Sequence, residues 1–393
     1  MPTNRPDMRL TGASVLRDGE MQRRSVAIES GRISKGPLPE VDLTGYLILP
    51  GIVDMHGDAF ERHIAPRPSA PFPLDQGLLS TDREAAANGV TTAWMAQSWS
   101  WEGGHRSPDH AELFLAALDE MRPQLGTDLR VQLRCETHMV DTAHQIIEAV
   151  RRHDVGYVVF NNHLDEVMQL AETDVGRLDH WAKQAGRDPQ DYLAIVRQTR
   201  KQSHRVPRFL CRLAEVFDEM GVLYGSHDDP DAETRETYSM IGAKICEFPL
   251  TRAAARLSNA VGDPVVMGAP NVVRGGSQSG NAAAEDLIEA GMCDVLVSDY
   301  HYPSLARAAF HLVDRGLRTL PGAWKLISQT PADVMRLSDR GTIDYGRRAD
   351  LTLINERTRA IEATMVAGRI THMTGDIVTR FLGAAGRLAI AAE

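Results

Sequence analysis

The sequence predicts an α/β fold in which a (β/α)8 barrel is joined to a small β-sandwich built from both ends of the chain. Short apolar runs alternate with helical stretches through the middle of the chain, whereas both ends consist of brief alternating runs broken by glycine. The length of 393 residues, 43% of them hydrophobic, is enough for the large core that a barrel requires. An open doubly wound sheet is the competing architecture.

The two ends of the chain are expected to form one small domain. Residues 8–50 alternate apolar and polar positions in short runs, which predicts small antiparallel strands, and residues 341–375 repeat the pattern. The expected division is therefore a β-sandwich domain of residues 1–50 plus 340–393 and a barrel of residues 51–339.

The middle of the chain contains eight strand-like runs separated by helical stretches. Apolar residues at helical spacing predict a helix within 141–154 and another within 282–291 that ends at Gly291. The stretch 164–221 is too long for one crossover and is expected to hold additional helices at the rim of the active site. The eight runs occupy residues 52–58, 90–97, 129–137, 155–163, 222–229, 243–249, 264–270 and 293–300.

Composition excludes several classes of protein. The net charge is −10 and the sequence pI is about 5.8, so a broad basic surface for nucleic acid is not expected. The four cysteines are widely spaced without a C-x-x-C pair, which argues against a cysteine zinc site or a disulfide framework and fits a reducing cytosol. No apolar run approaches the roughly 20 residues of a membrane span. The start of the sequence is polar and lacks the apolar segment of a signal peptide, so a cytoplasmic protein without a membrane partner is expected.

Imidazole and carboxylate side chains stand where several apolar runs end. In a barrel of parallel strands these ends meet at one mouth, where nitrogen and oxygen donors suit one or two divalent metal ions, zinc first, with manganese or iron as alternatives. A single histidine or aspartate at a strand end is more often a hydrogen-bonded turn residue, so the prediction depends on five such ends occurring together. The candidate ligands are His56, Asp58, Glu136, His163, His227 and Asp299.

The glycine-rich segment 268–281, after the seventh run, is the candidate substrate-binding loop. Glycines let backbone N–H groups approach an anion, and arginine adds charge, so a phosphate site is expected; a flexible lid is the alternative. The chain lacks the P-loop pattern, the dinucleotide fingerprint and the G-x-S-x-G elbow. A second arginine, after the first strand, is an anion contact or an ordinary turn residue. The substrate-binding candidates are Arg67, Arg274, Gly275, Gly276 and Ser277.

Long motifs in the chain resemble a known family. LILPGIVDMHGD (47–58) and GTIDYGRRADLTLIN (341–355) resemble the amidohydrolase superfamily, which implies a distorted TIM-type metal-dependent hydrolase barrel flanked by a β-sandwich. HGDAFERHIAPRP (56–68), SHDD (226–229) and MGAPNVVRGGSQSGN (267–281) resemble, more closely, the PhnM branch of phosphonate metabolism. The resemblance covers essentially the whole chain.

This resemblance implies an activity and roles for residues. The expected reaction is hydrolysis of α-D-ribose 1-methylphosphonate 5-triphosphate, or a close relative, to the 5-phosphate and pyrophosphate. His56 and Asp58 would bind metal, and Glu136 would be a ligand and a candidate bridge. Asp299 would bind metal and move a proton to or from the attacking water, which makes it the expected catalytic residue.

The motifs also depart from the usual superfamily pattern. His56-x-Asp58 replaces the common His-x-His, and no lysine ends the third or fourth run, so a glutamate bridge or a single metal is implied. His163 and His227, the expected ligands of a second metal, follow the fourth and fifth runs, whereas the superfamily usually takes such histidines from strands five and six.

Two other functions remain open at this stage. A C–N hydrolase of the same superfamily, a cyclic amidase or a deaminase, would use the same metal chemistry but would tolerate loss of Arg274 if its substrate lacks phosphate. A catalytically silent scaffold is disfavoured because the ligand set is complete. The expected partner is a small phosphorylated sugar, and a homodimer is compatible with the sequence.

Overall fold

The computed structural model describes residues 7–67, 70–277 and 280–391. Residues 1–6 and 392–393 of the predicted terminal domain, and residues 278–279 of the glycine-rich segment, lie outside the described residues. Strands from both ends of the chain share one six-stranded sheet, which is why the first and last segments fold together, and a second, four-stranded sheet is built from the first segment alone. These strands are β1 Met8–Thr11, β2 Ser14–Arg17, β3 Glu20–Arg23, β4 Val26–Glu29, β5 Arg32–Ser34, β6 Glu40–Asp42 and β7 Tyr46–Pro50, with the later strands Leu351–Asn355, Ile361–Val366 and Arg369–Met373.

Eight parallel strands form the central barrel, and each corresponds to one predicted run, so the predicted fold class is confirmed. Neighbours along the chain are neighbours in the sheet. The barrel closes where the backbone N–H of Asp58 donates to the Asp299 carbonyl at 2.8 Å and the Asp299 N–H donates to the His56 carbonyl at 3.1 Å. The strands are β8 Ile52–Gly57, β9 Val90–Trp99, β10 Asp128–Glu136, β11 Tyr157–Asn161, β12 Leu223–His227, β13 Ile245–Glu247, β14 Val265–Gly268 and β15 Val295–Val297.

The last three strands are β16, β17 and β18, in the order given above. One terminal sheet has the order β5-β4-β1-β6 and the other β18-β17-β16-β7-β2-β3. The expectation of antiparallel strands throughout is wrong for two pairs, because β1 runs parallel to β6 and β2 runs parallel to β7. Alternating hydrophobicity defines a half-buried strand but not the direction of its partner. Leu10, Ile48 and Leu353 belong to one core between these sheets. The division of the chain at residues 50 and 340 stays a prediction.

Helices surround the barrel and fill the connections. The predicted helices within 141–154 and 282–291 are present, and Gly291 has φ +70°, the left-handed conformation that ends a helix. The helices are α1 Glu61–Ile64, α2 Leu74–Ala87, α3 Pro108–Met121, α4 Ala143–Arg152, α5 Leu164–Thr173, α6 Val175–Gln184, α7 Pro189–Arg200, α8 Val206–Met220, α9 Ala232–Met240, α10 Arg252–Ala260, α11 Ala269–Arg274, α12 Ala284–Glu289, α13 Ser304–Asp314, α14 Leu320–Lys325, α15 Gln329–Val334 and α16 Ile377–Ala391. Short 3-10 helices span Gly104–Arg106, Arg122–Gln124, Val140–Thr142 and Ser203–Arg205.

The long connection after β11 holds α5, α6, α7 and α8, as the length of 164–221 predicted. Residues of α5 and α6 line the cleft at the barrel mouth, so these helices form part of its rim. The closing helix α16 was not predicted. None of the helices that the structure describes has the length and apolar character needed to cross a membrane.

Candidate active site

A cleft of about 1080 Å³ opens at the carboxyl ends of the barrel strands, the end at which barrel enzymes place their active sites. Side chains alternate between the two faces of a strand, and those on the inner face at the strand ends point into this cleft. On β15, for example, Val295 and Val297 pack inside the barrel and Asp299 continues the same face into the cleft. Predicted ligands that line the cleft are His56, Asp58, His163, His227 and Asp299.

His56 is held by a carboxylate that sequence reasoning missed. Its Nδ1 donates to Glu247 Oε2 at 2.9 Å, and Glu247 Oε1 accepts from Gln132 Nε2 and from the Tyr157 hydroxyl, both at 2.7 Å. Burial alone would lower the pKa of His56, but the charge and hydrogen bond of Glu247, together with the charge of Asp58, outweigh burial and raise it. Since Nδ1 donates to Glu247, Nε2 is the His56 nitrogen that can bind a metal ion. Glu247 ends β13 and could have been found by the same strand-end rule.

His227 lies beside His56 with ring centroids 5.2 Å apart, and Phe248 packs against both rings. His227 Nδ1 is 2.9 Å from Asp228 Oδ2. Burial lowers the pKa of His227 to about 4, so the imidazole is neutral at neutral pH. The neutral imidazole is the form that binds metal ions. We call His56, His227 and Glu247 the His56 group.

The His163 group consists of Glu102, Glu136 and His163. Glu136 Oε1 lies 2.7 Å from His163 Nδ1, and Glu102 Oε1 lies 3.7 Å from the same nitrogen. Glu136 Oε2 accepts from the Trp101 indole N–H at 3.1 Å and from the His163 backbone N–H at 3.2 Å. Glu102 lies in the loop after β9 rather than at a strand end, so the sequence pattern gave no signal for it.

Asp58 and Asp299 meet at the seam of the barrel, joined by the backbone hydrogen bonds that close it. Burial, followed by the charge of Asp58, raises the pKa of Asp299 to about 7. Burial and then the charge of Glu61 also raise the pKa of Asp58. Asp299 has φ +55°, a left-handed conformation that is uncommon for an aspartate outside turns and functional sites. A carboxyl group with a pKa near neutrality can both accept and return a proton.

A curated relative decides the family of this chain. The chain is 32% identical over 373 residues to the α-D-ribose 1-methylphosphonate 5-triphosphate diphosphatase of Escherichia coli (strain K12), with 90% of this chain and 97% of the relative covered. The chain belongs to the PhnM family. No family model matches the sequence.

Solved structures place this PhnM-family chain in the amidohydrolase fold. A β-aspartyl dipeptidase from Fervidobacterium islandicum matches with a TM-score of 0.63 at 13% identity, covering 93% of this chain and 97% of its own. An N-acyl-D-glutamate deacylase from Bordetella bronchiseptica, complexed with zinc and a phosphonate inhibitor, matches with a TM-score of 0.59 at 15% identity, covering 93% and 96%. At these identities the likeness shows the fold alone.

The strand count of this PhnM-family barrel explains the departure seen in the sequence. His163 follows β11, the fourth barrel strand, and His227 ends β12, the fifth. The sixth strand, β13, ends in Glu247, which supports His56 through a hydrogen bond. The two predicted histidine ligands therefore belong to the fourth and fifth barrel strands.

Divalent metal ions fit both groups. Each group brings three ligand atoms within 4.8 Å of one another. Buried Glu136 Oε1 lies 2.7 Å from His163 Nδ1, and buried His227 Nδ1 lies 2.9 Å from Asp228 Oδ2, so nitrogen and oxygen atoms of both groups stand close together. Buried nitrogen and oxygen atoms that converge in this way are typical of metal ligands.

The glycine-rich segment differs from the expected loop. Its residues 269–274 form α11, because Pro270 starts the helix and Gly275, at φ +76°, ends it. The N–H groups of Gly275 and Gly276 donate to the carbonyls of Val272 and Asn271 in this conformation, and binding of phosphate by these glycines stays a prediction.

The other predicted substrate-binding residues fall into two groups. Arg274 lines the cleft and donates to the Tyr300 hydroxyl at 3.3 Å. Ser277 also lines the cleft, and its hydroxyl accepts from the Asn281 N–H at 3.1 Å. Arg67 is exposed and is not among the described residues that line the cleft. The structure therefore brings Arg274 and Ser277, but not Arg67, to the mouth of the barrel.

Proposed function

We propose that this chain hydrolyses α-D-ribose 1-methylphosphonate 5-triphosphate to the 5-phosphate and pyrophosphate. The observation that carries the proposal is the 32% identity to the E. coli diphosphatase across 90% of the chain. Water adds to the phosphorus nearest the sugar, and the bond from that phosphorus to the bridging oxygen breaks with pyrophosphate as the leaving group. The cleft volume of about 1080 Å³ slightly exceeds the roughly 300–1,000 Å³ usual for small-molecule sites, which accommodates a triphosphorylated sugar.

Zinc is the metal that the donor set suits best, with one or two ions at the mouth of the barrel. His56, Asp58 and His227 would hold one ion, and Glu136 and His163 would hold a second. A bound divalent ion supplies Lewis-acid activation of water and neutralises phosphoryl charge. Glu247 fixes the orientation and tautomer of His56 by accepting the Nδ1 proton.

Asp299 is the proposed proton acceptor. As the water oxygen bonds to phosphorus, Asp299 takes its proton and can pass it to the departing pyrophosphate. The support is its place at the barrel seam beside Asp58 and its raised pKa of about 7, which leaves part of the population ionised at neutral pH.

Arg274 is proposed to bind phosphoryl oxygens at the rim of the cleft. A guanidinium group matches phosphate geometry, and the side chain lies beside Tyr300 on the cleft wall. The cleft is otherwise rich in carboxylates, among them Asp58, Asp228 and Asp299, so a triphosphate requires positive charge from metal and arginine to bind there.

The experiment is a pyrophosphate-release assay on the metal-loaded protein, with the ribosyl methylphosphonate triphosphate as substrate and ATP as the comparison triphosphate. The proposal predicts equimolar pyrophosphate and 5-phosphate, loss of turnover with a chelator, and lower turnover in Arg274→Ala. Absence of triphosphate turnover together with hydrolysis of a cyclic amide, and full tolerance of Arg274→Ala, would contradict it. A homodimer and a cytoplasmic location stay predictions.

A further inference from the structure

Arg134 projects from the third barrel strand toward the centre of the cleft. On β10, Gln132 reaches the interior carboxylate of Glu247, and Glu136 reaches His163 at the mouth. Arg134 lies two residues from each of them on the same strand, so its side chain points to the same face. It lines the cleft, as this placement requires.

Arg134 is not neutralised by a neighbour. Among the described residues, no carboxylate oxygen lies within 4.0 Å of its guanidinium group, and its buried Nε has no hydrogen-bond partner. Other buried arginines in this chain are paired: Arg235 contacts Asp229 and Asp263, and Arg340 contacts Asp128. An uncommitted guanidinium in a half-buried site is costly unless a ligand satisfies it.

The remaining arginines of the cleft serve other contacts. Arg106 is engaged by Glu102 at 3.0 Å and by Glu61 at 3.6 Å, and Arg274 lies at the exposed rim beside Tyr300. Among the described residues that line the cleft, Arg134 is therefore the guanidinium available in its interior. Its charge acts on side chains that come from the first, fourth, fifth and eighth strands, as expected for a group at the centre of the ring.

We propose that Arg134 binds phosphoryl oxygens of the substrate at the floor of the cleft, beside the metal-ligating residues. This assignment deepens the proposed function and rests on it for the identity of the substrate. The chemistry recognised is a di- or triphosphate anion, which the planar fork of arginine contacts with two parallel N–H groups. Arg134 thereby supplies the positive charge that an acidic cleft needs to hold polyphosphate.

The test measures binding of inorganic pyrophosphate to the metal-loaded protein by isothermal titration calorimetry. Arg134→Met removes the charge at similar length, Arg134→Lys keeps the charge but loses the fork, and Arg83→Met changes an exposed arginine on α2 as the matched control. Melting temperature and metal content are measured for every variant, because a merely structural role would change these rather than the affinity for pyrophosphate.

We expect Arg134→Met to raise the Kd for pyrophosphate by about 10- to 100-fold with metal content unchanged, and Arg134→Lys to raise it less. Arg83→Met should match the wild type. The proposal is overturned if the wild type does not bind pyrophosphate, if Arg134→Met binds within about two-fold of the wild type, or if its affinity falls only in step with its metal content. If Arg134→Met fails to fold, Arg134→Lys decides: an unchanged Kd for that variant overturns the proposal.

Failure of the proposed function gives a different pattern. If the wild type binds pyrophosphate through Arg134 but turns over no triphosphate, the anion site stands and the reaction assignment falls. If the wild type turns over the triphosphate and Arg134→Met keeps both its kcat/KM and its Kd for pyrophosphate, the reaction stands and the role of Arg134 falls.

Discussion

The two ends of the barrel use the same residue types in opposite ways. At the carboxyl ends of the strands, burial and the charge of Asp58 raise the pKa of Asp299 to about 7. At the opposite end, burial would raise the pKa of Asp128, but hydrogen bonds and charges of Arg130 and Arg340 outweigh it and lower the pKa to about 2. Asp299 at the mouth lies close to another carboxylate, whereas Asp128 at the opposite end is paired with arginine.

This difference indicates that the mouth of the barrel serves function and that the opposite end serves stability. Buried carboxylates that repel one another cost folding free energy. Such groups cluster at functional sites, where the reaction needs them. A carboxylate that accepts hydrogen bonds from two arginines stabilises the fold without any bound ligand. Substitutions at the mouth should therefore change activity, and substitutions at the opposite end should change stability.

The largest effect is expected from Asp299→Asn. Without a group that can accept the proton, turnover of the triphosphate should fall about 10²- to 10⁴-fold. The melting temperature of the chelator-treated protein should not fall, because a buried carboxyl with a raised pKa is removed. The matched control is Asp333→Asn, an exposed aspartate near the opposite end of the barrel, which should keep normal turnover. Full turnover in Asp299→Asn would remove that residue from the mechanism.

The second-largest effect is expected from Glu247→Gln. This substitution replaces the carboxylate that accepts the Nδ1 proton of His56 with a neutral amide. Metal affinity should fall about 10- to 100-fold, as for other carboxylates that orient a histidine ligand. Glu362→Gln is the matched control, because Glu362 also accepts from three donors, those of Tyr46, Asn355 and Ile377, but lies in the terminal sheets.

Metal titration of both variants distinguishes an effect on the metal site from a general loss of stability. Glu362→Gln should lose stability while keeping the wild-type metal affinity. Equal loss of metal affinity in both variants would mean that Glu247 acts through general stability and not through His56.

A third, moderate effect is acid sensitivity through Asp128. Its pKa in the folded state is about 2, below the unfolded value near 3.9, so the unfolded chain binds the proton first as pH falls. The stability that Asp128 contributes is therefore complete above about pH 4 and is lost between about pH 4 and pH 2. Asp128→Asn should lower the free energy of unfolding by about 1–3 kcal/mol at neutral pH and by progressively less toward pH 2.

Urea unfolding of the wild type and Asp128→Asn at a series of pH values measures this difference. A difference that stays constant from neutral pH down to acid would contradict the charge pairing with Arg130 and Arg340. Turnover of the variant, measured under conditions where it is folded, should equal that of the wild type.

The smallest effect is expected from Arg67→Ala. Arg67 is exposed outside the described lining of the cleft, so kcat/KM should stay within about two-fold of the wild type. A selective rise in KM in steady-state kinetics would place Arg67 at the substrate and restore its predicted role as an anion contact.

Much of this architecture could be predicted from the sequence because the barrel repeats one simple rule. Eight apolar runs became eight strands, and the polar residues at their ends converged because parallel strands end on one face. Glu247 obeys the same rule and was overlooked. Glu102 could not be predicted, since it lies in a loop and approaches His163 only through tertiary packing. The N–H groups of Gly275 and Gly276 are used inside a helical turn that glycine content alone does not reveal.

The most direct measurement is phosphorus NMR of the metal-loaded protein with the ribosyl methylphosphonate triphosphate in water enriched in the heavy oxygen isotope. The account predicts pyrophosphate and 5-phosphate in equal amounts, with the heavy oxygen in the 5-phosphate, because water attacks the phosphorus nearest the sugar. The signals should not appear after treatment with chelator. Release of orthophosphate, label in the pyrophosphate, or turnover that persists without metal would contradict the account.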